Sequence, residues 1–85
     1  MYILNDYNDR NTVVAHLSLD HNERAMELLA TMPKNAVTEY LRAIACSRLG
    51  RKAEGREHFL EACRLDGRME YRGNLDPEIA ELLKQ

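Results

Sequence analysis

The chain has 85 residues, 45% of them hydrophobic and 31% charged, with 12 basic against 14 acidic side chains. This composition is typical of one small globular domain with a thin core. No apolar run approaches the roughly 20 residues that a membrane-spanning helix needs, so we expect no membrane insertion. The net charge of −2 argues against a nucleic-acid partner, because such proteins carry an excess of basic residues.

Apolar residues recur at helical spacing in two segments before Pro33. They predict a first helix over 9–19, a turn at 20–22 and a second helix over 23–32. Pro33 ends the second helix because proline disfavours helical backbone in the residue before it. The sequence therefore predicts a first helical hairpin, 9–32.

A second hairpin, 36–66, is predicted after Pro33. Asn35 is the expected N-cap of a third helix over 36–49, and Gly50 supplies the left-handed exit from it. This helix is apolar on nearly all sides, which predicts that several neighbours cover it. The fourth helix is predicted over 52–65.

The C-terminal part is predicted to hold one short helix. The stretch 67–74 is expected to be irregular. Asp76, Pro77 and Glu78 then combine an N-cap, a proline at the first helical position and an acid in the first turn, which begins a capping helix over 76–84. We expect it to cover the fourth helix with Ile79, Leu82 and Leu83.

The two predicted hairpins repeat each other at an offset of 30 residues. The offset pairs Val14 with Ile44 and Asp20 with Gly50. Small residues recur where the helices of each hairpin are expected to cross, since close approach needs a short side chain. These residues are Val13 and Ala25 in the first hairpin, and Ala43 and Gly55 in the second.

The second hairpin resembles a tetratricopeptide repeat. The resemblance lies in the segment 40–51, YLRAIACSRLGR, and in Gly55, Phe59 and Ala62 after it. Four positions depart from the family pattern: Glu39 replaces an aromatic residue, Arg42 a leucine, Cys46 a tyrosine and Gly67 a proline. The resemblance implies an all-α fold of two antiparallel hairpins, a right-handed solenoid fragment with a capping helix.

Two hairpins are fewer than the three repeats that such a solenoid usually needs. We therefore expect the chain to be one end of a longer protein, or to bury its N-terminal face in a partner or a second copy. The segment 65–78 also resembles the C-terminal tails of some bacterial surface and fimbria-associated proteins.

The residues give no sign of catalysis, a cofactor or a metal site. His16, His21 and His58 share no metal-ligand spacing, and the helix break at Asp20 is expected to turn His16 and His21 to different faces. Glu54 and His58 are interpreted as part of a solvated helix face. No nucleophile stands beside a base and no glycine loop suits a phosphate, so we predict that the protein is not an enzyme.

The two cysteines and the arginine-rich part 41–72 leave alternatives open. Cys46 and Cys63 form no disulfide framework and are predicted to be buried or half-buried free thiols, which do not indicate a compartment. The arginines of 41–72 suit either an anionic partner or ordinary helix surfaces with salt bridges.

The resemblance to tetratricopeptide repeats implies a groove lined by the first helix of each hairpin. We expect this groove to bind a peptide or protein partner. The alternative function is a structural domain that self-associates as a homodimer. For Val14, Leu17 and Ile44 the alternative is a core position, which such apolar residues occupy more often than a groove. The predicted groove residues are Tyr7, Arg10, Val14, Leu17 and Ser18 from the first hairpin, and Val37, Tyr40, Ile44, Ser47 and Arg48 from the second.

Overall fold

The computed structural model describes residues 10–84, so the predicted groove residue Tyr7 and the predicted helix start at Asp9 lie outside the described residues. The described part is all-α, as predicted. None of its helices is both long enough and apolar enough to cross a membrane. The helices are α1 (Arg10–Ser18), α2 (Asn22–Ala30), α3 (Ala36–Arg48), α4 (Lys52–Leu65), α5 (Arg68–Asn74) and α6 (Pro77–Leu83).

The turn after α1 is closed by backbone hydrogen bonds around Asp20, which has a positive φ of 60°. The His21 N–H donates to the His16 carbonyl at 2.8 Å, and the Asp20 N–H donates to the Leu17 carbonyl at 3.1 Å. This is the cap in which one left-handed residue reverses the chain after a helix.

The turn after α3 has the same construction thirty residues later. Gly50 takes the left-handed position with a φ of 80°, as predicted. The Arg51 N–H donates to the Cys46 carbonyl at 2.8 Å, and the Gly50 N–H donates to the Ser47 carbonyl at 3.2 Å. The 30-residue repeat found in the sequence is therefore also present in the backbone, as two turns of the same construction.

The end of α2 differs from the prediction by two residues. The Thr31 and Met32 N–H groups donate to the carbonyls three residues earlier, those of Leu28 and Leu29, at 3.1 Å each. The Thr31 hydroxyl also donates to the Leu28 carbonyl at 2.8 Å. These tighter bonds end the α-helix at Ala30, before Pro33.

Asn35 caps α3 as predicted. Its side-chain oxygen accepts from the Thr38 N–H at 3.0 Å, and the Thr38 hydroxyl accepts from the Asn35 N–H at 2.9 Å. This reciprocal pair satisfies two donors at the start of the helix. At the other end, α3 finishes at Arg48, one residue before the predicted end.

The prediction of an irregular stretch over 67–74 is wrong, since Arg68–Asn74 is the helix α5. Met69 and Gly73 lie one turn apart on its buried side. A Cβ on Gly73 would lie 2.4 Å from Cζ of Phe59. The glycine is therefore needed because α5 approaches the Phe59 ring closely, and it does not mark a turn.

α3 lies at the centre of the described structure. It packs against α1, α2, α4 and α6, which confirms that several neighbours cover it. The α3–α4 crossing depends on Gly55, because a Cβ there would lie 3.2 Å from the Ala43 carbonyl oxygen. α6 buries Ile79 and Leu82, as predicted, but Leu83 is 41% exposed. Cys46 is buried and Cys63 half-buried, and both are free thiols, as predicted.

Candidate functional site

The structure divides the predicted groove residues between surface and core. Leu17, Tyr40 and Ile44 are buried. Val14 is 44% exposed, so the alternative of a core position does not apply to it. Arg10 and Ser18 are exposed, and Val37 and Ser47 are half-buried.

Tyr40 has a structural environment. Its hydroxyl donates to an Asp76 carboxylate oxygen at 2.8 Å, so the ring connects α3 to the start of α6. The ring packs edge-on against Phe59, and the Arg72 guanidinium lies 5.2 Å from its centroid. Burial, and then the bond to Asp76, raises the pKa of Tyr40 above its usual range.

Arg48 connects three helices. Its Nε and Nη2 donate to the two carboxylate oxygens of Glu78 on α6, at 3.0 and 2.6 Å. Its Nη1 donates to the Leu17 carbonyl at the end of α1 at 2.6 Å. The bond to Glu78 raises the pKa of Arg48. This side chain is thus occupied in holding α1 and α6 to α3.

The part of the predicted groove that stays open is a pocket of about 590 Å³ where α1 and α3 begin. Arg10 of α1 has no ion pair or hydrogen bond with another described residue. Met32, Ala36 and Val37 give the pocket an apolar lining, and no carboxylate borders it among the described residues. The complete lining is Arg10, Asn11, Met32, Asn35, Ala36, Val37 and Thr38.

A buried charged network, which the sequence did not predict, lies where α3 meets the end of α2 and α4. Glu39 is 2% exposed and accepts from Arg42, one turn later on the same helix. Arg42 also donates to the carbonyls of Leu29 and Met32, at 2.5 and 3.3 Å, so it satisfies acceptors at the end of α2.

His58 of α4 completes this network. Its Nδ1 lies 2.6 Å from the second carboxylate oxygen of Glu39. The side chain of His58 is 30% exposed, so its interpretation as part of a solvated face is wrong. Glu39 and Arg42 are two of the four departures from the tetratricopeptide pattern, and charge at two expected apolar positions was the available signal.

The expectation that His16 and His21 face apart is also wrong. Their Nδ1 atoms are 3.3 Å apart and their ring centroids 5.5 Å apart. The left-handed Asp20 reverses the chain within one turn, and this reversal returns His21 to the side of α1 that carries His16.

The arginines of 41–72 mostly pair with carboxylates. Arg42, Arg48, Arg64 and Arg68 all have acidic partners. Arg51, Lys52, Arg56 and Arg72 have no ion pair with a described residue. The interpretation as helix surfaces with salt bridges therefore accounts for about half of the basic residues there.

In the part of the chain that the structure describes, no group of three or more His, Cys, Asp or Glu side chains is arranged to hold a metal ion. Comparisons with family models, curated proteins and solved structures found no match for the chain.

Proposed function

We propose that this domain is a non-catalytic protein-interaction module that binds a peptide segment in the pocket where α1 and α3 begin. The observation that carries the proposal is the guanidinium of Arg10, which pairs with no other described residue, beside the apolar surface of Met32, Ala36 and Val37. Apolar surface contributes most of the binding free energy at such sites, and a few polar groups fix orientation.

The lining of the pocket favours a partner with an acidic group next to an apolar side chain. A carboxylate of the partner pairs with Arg10 through two parallel hydrogen bonds and displaces no partner of Arg10 among residues 10–84. The apolar neighbour covers Val37 and Met32, which are half-buried. Arg10 and Val14, one turn apart and both exposed, extend the surface along α1.

We further propose that the two hairpins are degenerate tetratricopeptide-like repeats. The two matching caps thirty residues apart, at Asp20 and Gly50, support this proposal. Buried Val13, Ala25 and Ala43 at the expected crossing positions support it as well. In such repeats the first helices line the binding surface, which is where the pocket lies.

The test is selection of a displayed random peptide library on the immobilised chain. We expect enriched sequences with Asp or Glu beside an apolar residue, and loss of their binding to Arg10→Glu and Val37→Asp variants. Arg10 is exposed, so thermal unfolding of Arg10→Glu is expected to match that of the wild type. Val37 packs partly against the core, so Val37→Asp is expected to melt at a lower temperature, and its binding is measured well below that temperature.

Lys52→Glu is the matched charge control, because Lys52 is exposed on α4 and does not line the pocket. Its binding of the enriched peptides is expected to equal that of the wild type. Peptides that bind wild type and Arg10→Glu equally would contradict the proposed site. Selection of purely apolar peptides would contradict the proposed partner chemistry.

A further inference from the structure

The N-terminal segment before Arg10 has the chemistry that the pocket at the start of α1 and α3 favours. It contains two carboxylates, Asp6 and Asp9, and no basic side chain, and the residues at 2–4 are tyrosine, isoleucine and leucine. The pocket offers the complementary groups. Arg10 pairs with no other described residue, the lining is largely apolar, and no carboxylate borders the pocket among the described residues.

We propose that this N-terminal segment, residues 2–9, binds the pocket within the same molecule and competes there with the peptide partner. The inference rests on the proposed function, because it assigns a regulator to the same site. The segment thus acts as an attached inhibitor that a partner has to displace.

The connection along the chain places the segment within reach of the pocket. Arg10 and Asn11, the first residues of α1, both line it. The chain from Leu4 to Arg10 spans up to about 20 Å when extended. α1 packs against α3, and the axes of packed helices lie about 8–10 Å apart, so the segment is long enough to extend from α1 to Val37 of α3.

The contacts available to the segment predict weak binding. The Asp6 carboxylate can accept two parallel hydrogen bonds from the Arg10 guanidinium. Arg10 is exposed, however, and an exposed ion pair contributes little free energy. The apolar side chains at 2–4 can cover Met32 and Val37, which are half-buried and leave little apolar surface to cover. Weak binding suits a competitor that a partner must be able to displace.

Attachment to the same chain compensates for this weakness. A short linker gives the segment an effective concentration on the order of 1 mM at the pocket. A dissociation constant of about 0.1 mM for the free segment then leaves about one pocket in eleven open. The apparent affinity for a peptide added in solution falls in proportion to the open fraction, which is about tenfold.

The experiment is a fluorescence-anisotropy titration of the 85-residue chain with a labelled synthetic peptide that has the sequence of residues 1–9. The test variant is Leu4→Ser/Asp6→Asn, which weakens the attached segment and leaves every described residue unchanged. We expect it to bind the labelled peptide about tenfold more tightly than the wild type does. Asp6→Asn alone, a milder change, is expected to give an increase of about threefold. Addition of Arg10→Glu to the double variant is expected to abolish binding.

Leu60→Ser/Glu57→Gln is the matched control, because both side chains are exposed on α4 and neither lines the pocket. It removes the same kinds of side chain and is expected to bind the labelled peptide as the wild type does. Thermal unfolding, measured in parallel, establishes that each chain is folded at the temperature of the titration.

Equal affinity of the wild type and the double variant for the labelled peptide would overturn the proposal, as would no binding of the peptide to any chain. Dimers that form in the wild type and are lost in the double variant would overturn it as well, because the segment would then bind a second copy. The proposed function is judged separately, by whether binding of the library-selected peptides depends on Arg10.

Discussion

A single residue, Asp20, adopts left-handed backbone that glycine adopts at the equivalent position of the second hairpin. Its φ is 60°, and that of Gly50 is 80°. Aspartate has a Cβ that strains this conformation, and its negative charge lies at the C-terminal end of α1, where the helix dipole disfavours it.

Asp20→Gly is therefore expected to raise the free energy of unfolding by up to about 1 kcal/mol. Gly50→Ala is expected to lower it by about 1 kcal/mol, because the added Cβ meets the same strain. Urea denaturation of the two variants measures both effects. A loss of stability in Asp20→Gly would show that the contact of Asp20 with Arg48 outweighs backbone strain.

The buried pair of Glu39 and Arg42 is the second feature that matters at the scale of single residues. Arg42→Met removes a partner of a carboxylate that is 2% exposed and one donor from each of the Leu29 and Met32 carbonyls after α2. We expect a loss of about 3 kcal/mol, because the buried carboxylate of Glu39 then keeps only the half-buried His58 as a partner, and a buried charge that loses a partner costs far more than an exposed one.

The double variant Glu39→Leu/Arg42→Met is expected to recover most of this loss, since apolar residues of similar size replace the whole pair. Chemical denaturation of the wild type, the single variant and the double variant measures the recovery. A double variant less stable than Arg42→Met alone would contradict this account of the network.

Tyr40 gives the domain an alkaline pH dependence. Its pKa is raised in the folded protein, whereas an unfolded tyrosine loses its proton near about pH 10. The unfolded state therefore releases the proton first, so this contribution to stability is complete below about pH 10 and falls above it, by on the order of 1 kcal/mol at pH 11.

Comparison of wild type and Tyr40→Phe by urea denaturation at pH 8 and pH 11 tests this effect. Burial also raises the pKa of Cys46, so both proteins should carry Cys46→Ala. We expect the fall in stability between the two pH values to be smaller in Tyr40→Phe. Equal falls would show that the Tyr40 hydroxyl ionises in the folded state as readily as in the unfolded state.

At the scale of elements, the sequence predicted the four longer helices because their caps and periodicity act locally. Asn35 and Gly50 determine the ends of α3 through contacts within a few residues. α5 was missed because its seven residues are too short for a hydrophobic period and because it lacks the capping side chain and first-turn proline that mark the equally short α6. Gly73 of α5 is needed because the Phe59 ring packs against it, and Phe59 is too distant in sequence for a local pattern to show this contact.

Gly73→Ala tests that explanation of α5. The new Cβ would lie 2.4 Å from Cζ of Phe59, so α5 or the ring must move. We expect a loss of about 2 kcal/mol, as overpacking in a well-packed core usually gives, although alanine is the better helix former. Gain of stability on thermal unfolding would show that helix propensity outweighs this contact.

At the scale of the whole molecule, long-range contacts decided which predicted groove residues remain accessible. Tyr40 and Arg48 have the spacing of surface positions on α3, yet α6 engages both through Asp76 and Glu78. No local pattern shows that the chain returns across α3. Arg10 and Val37, in contrast, remain accessible at the open pocket. Only the packing of the described helices shows which of the predicted groove residues are engaged and which are accessible.

The proposed function requires that this open face is available to a different protein rather than to a second copy of the chain. The most direct measurement is the mass in solution by light scattering from about 1 to 100 micromolar, the range in which weak association becomes visible. We predict a monomer throughout. A dimer that persists on dilution and dissociates in the Val37→Asp variant would contradict the account, because the pocket would then be an interface between copies.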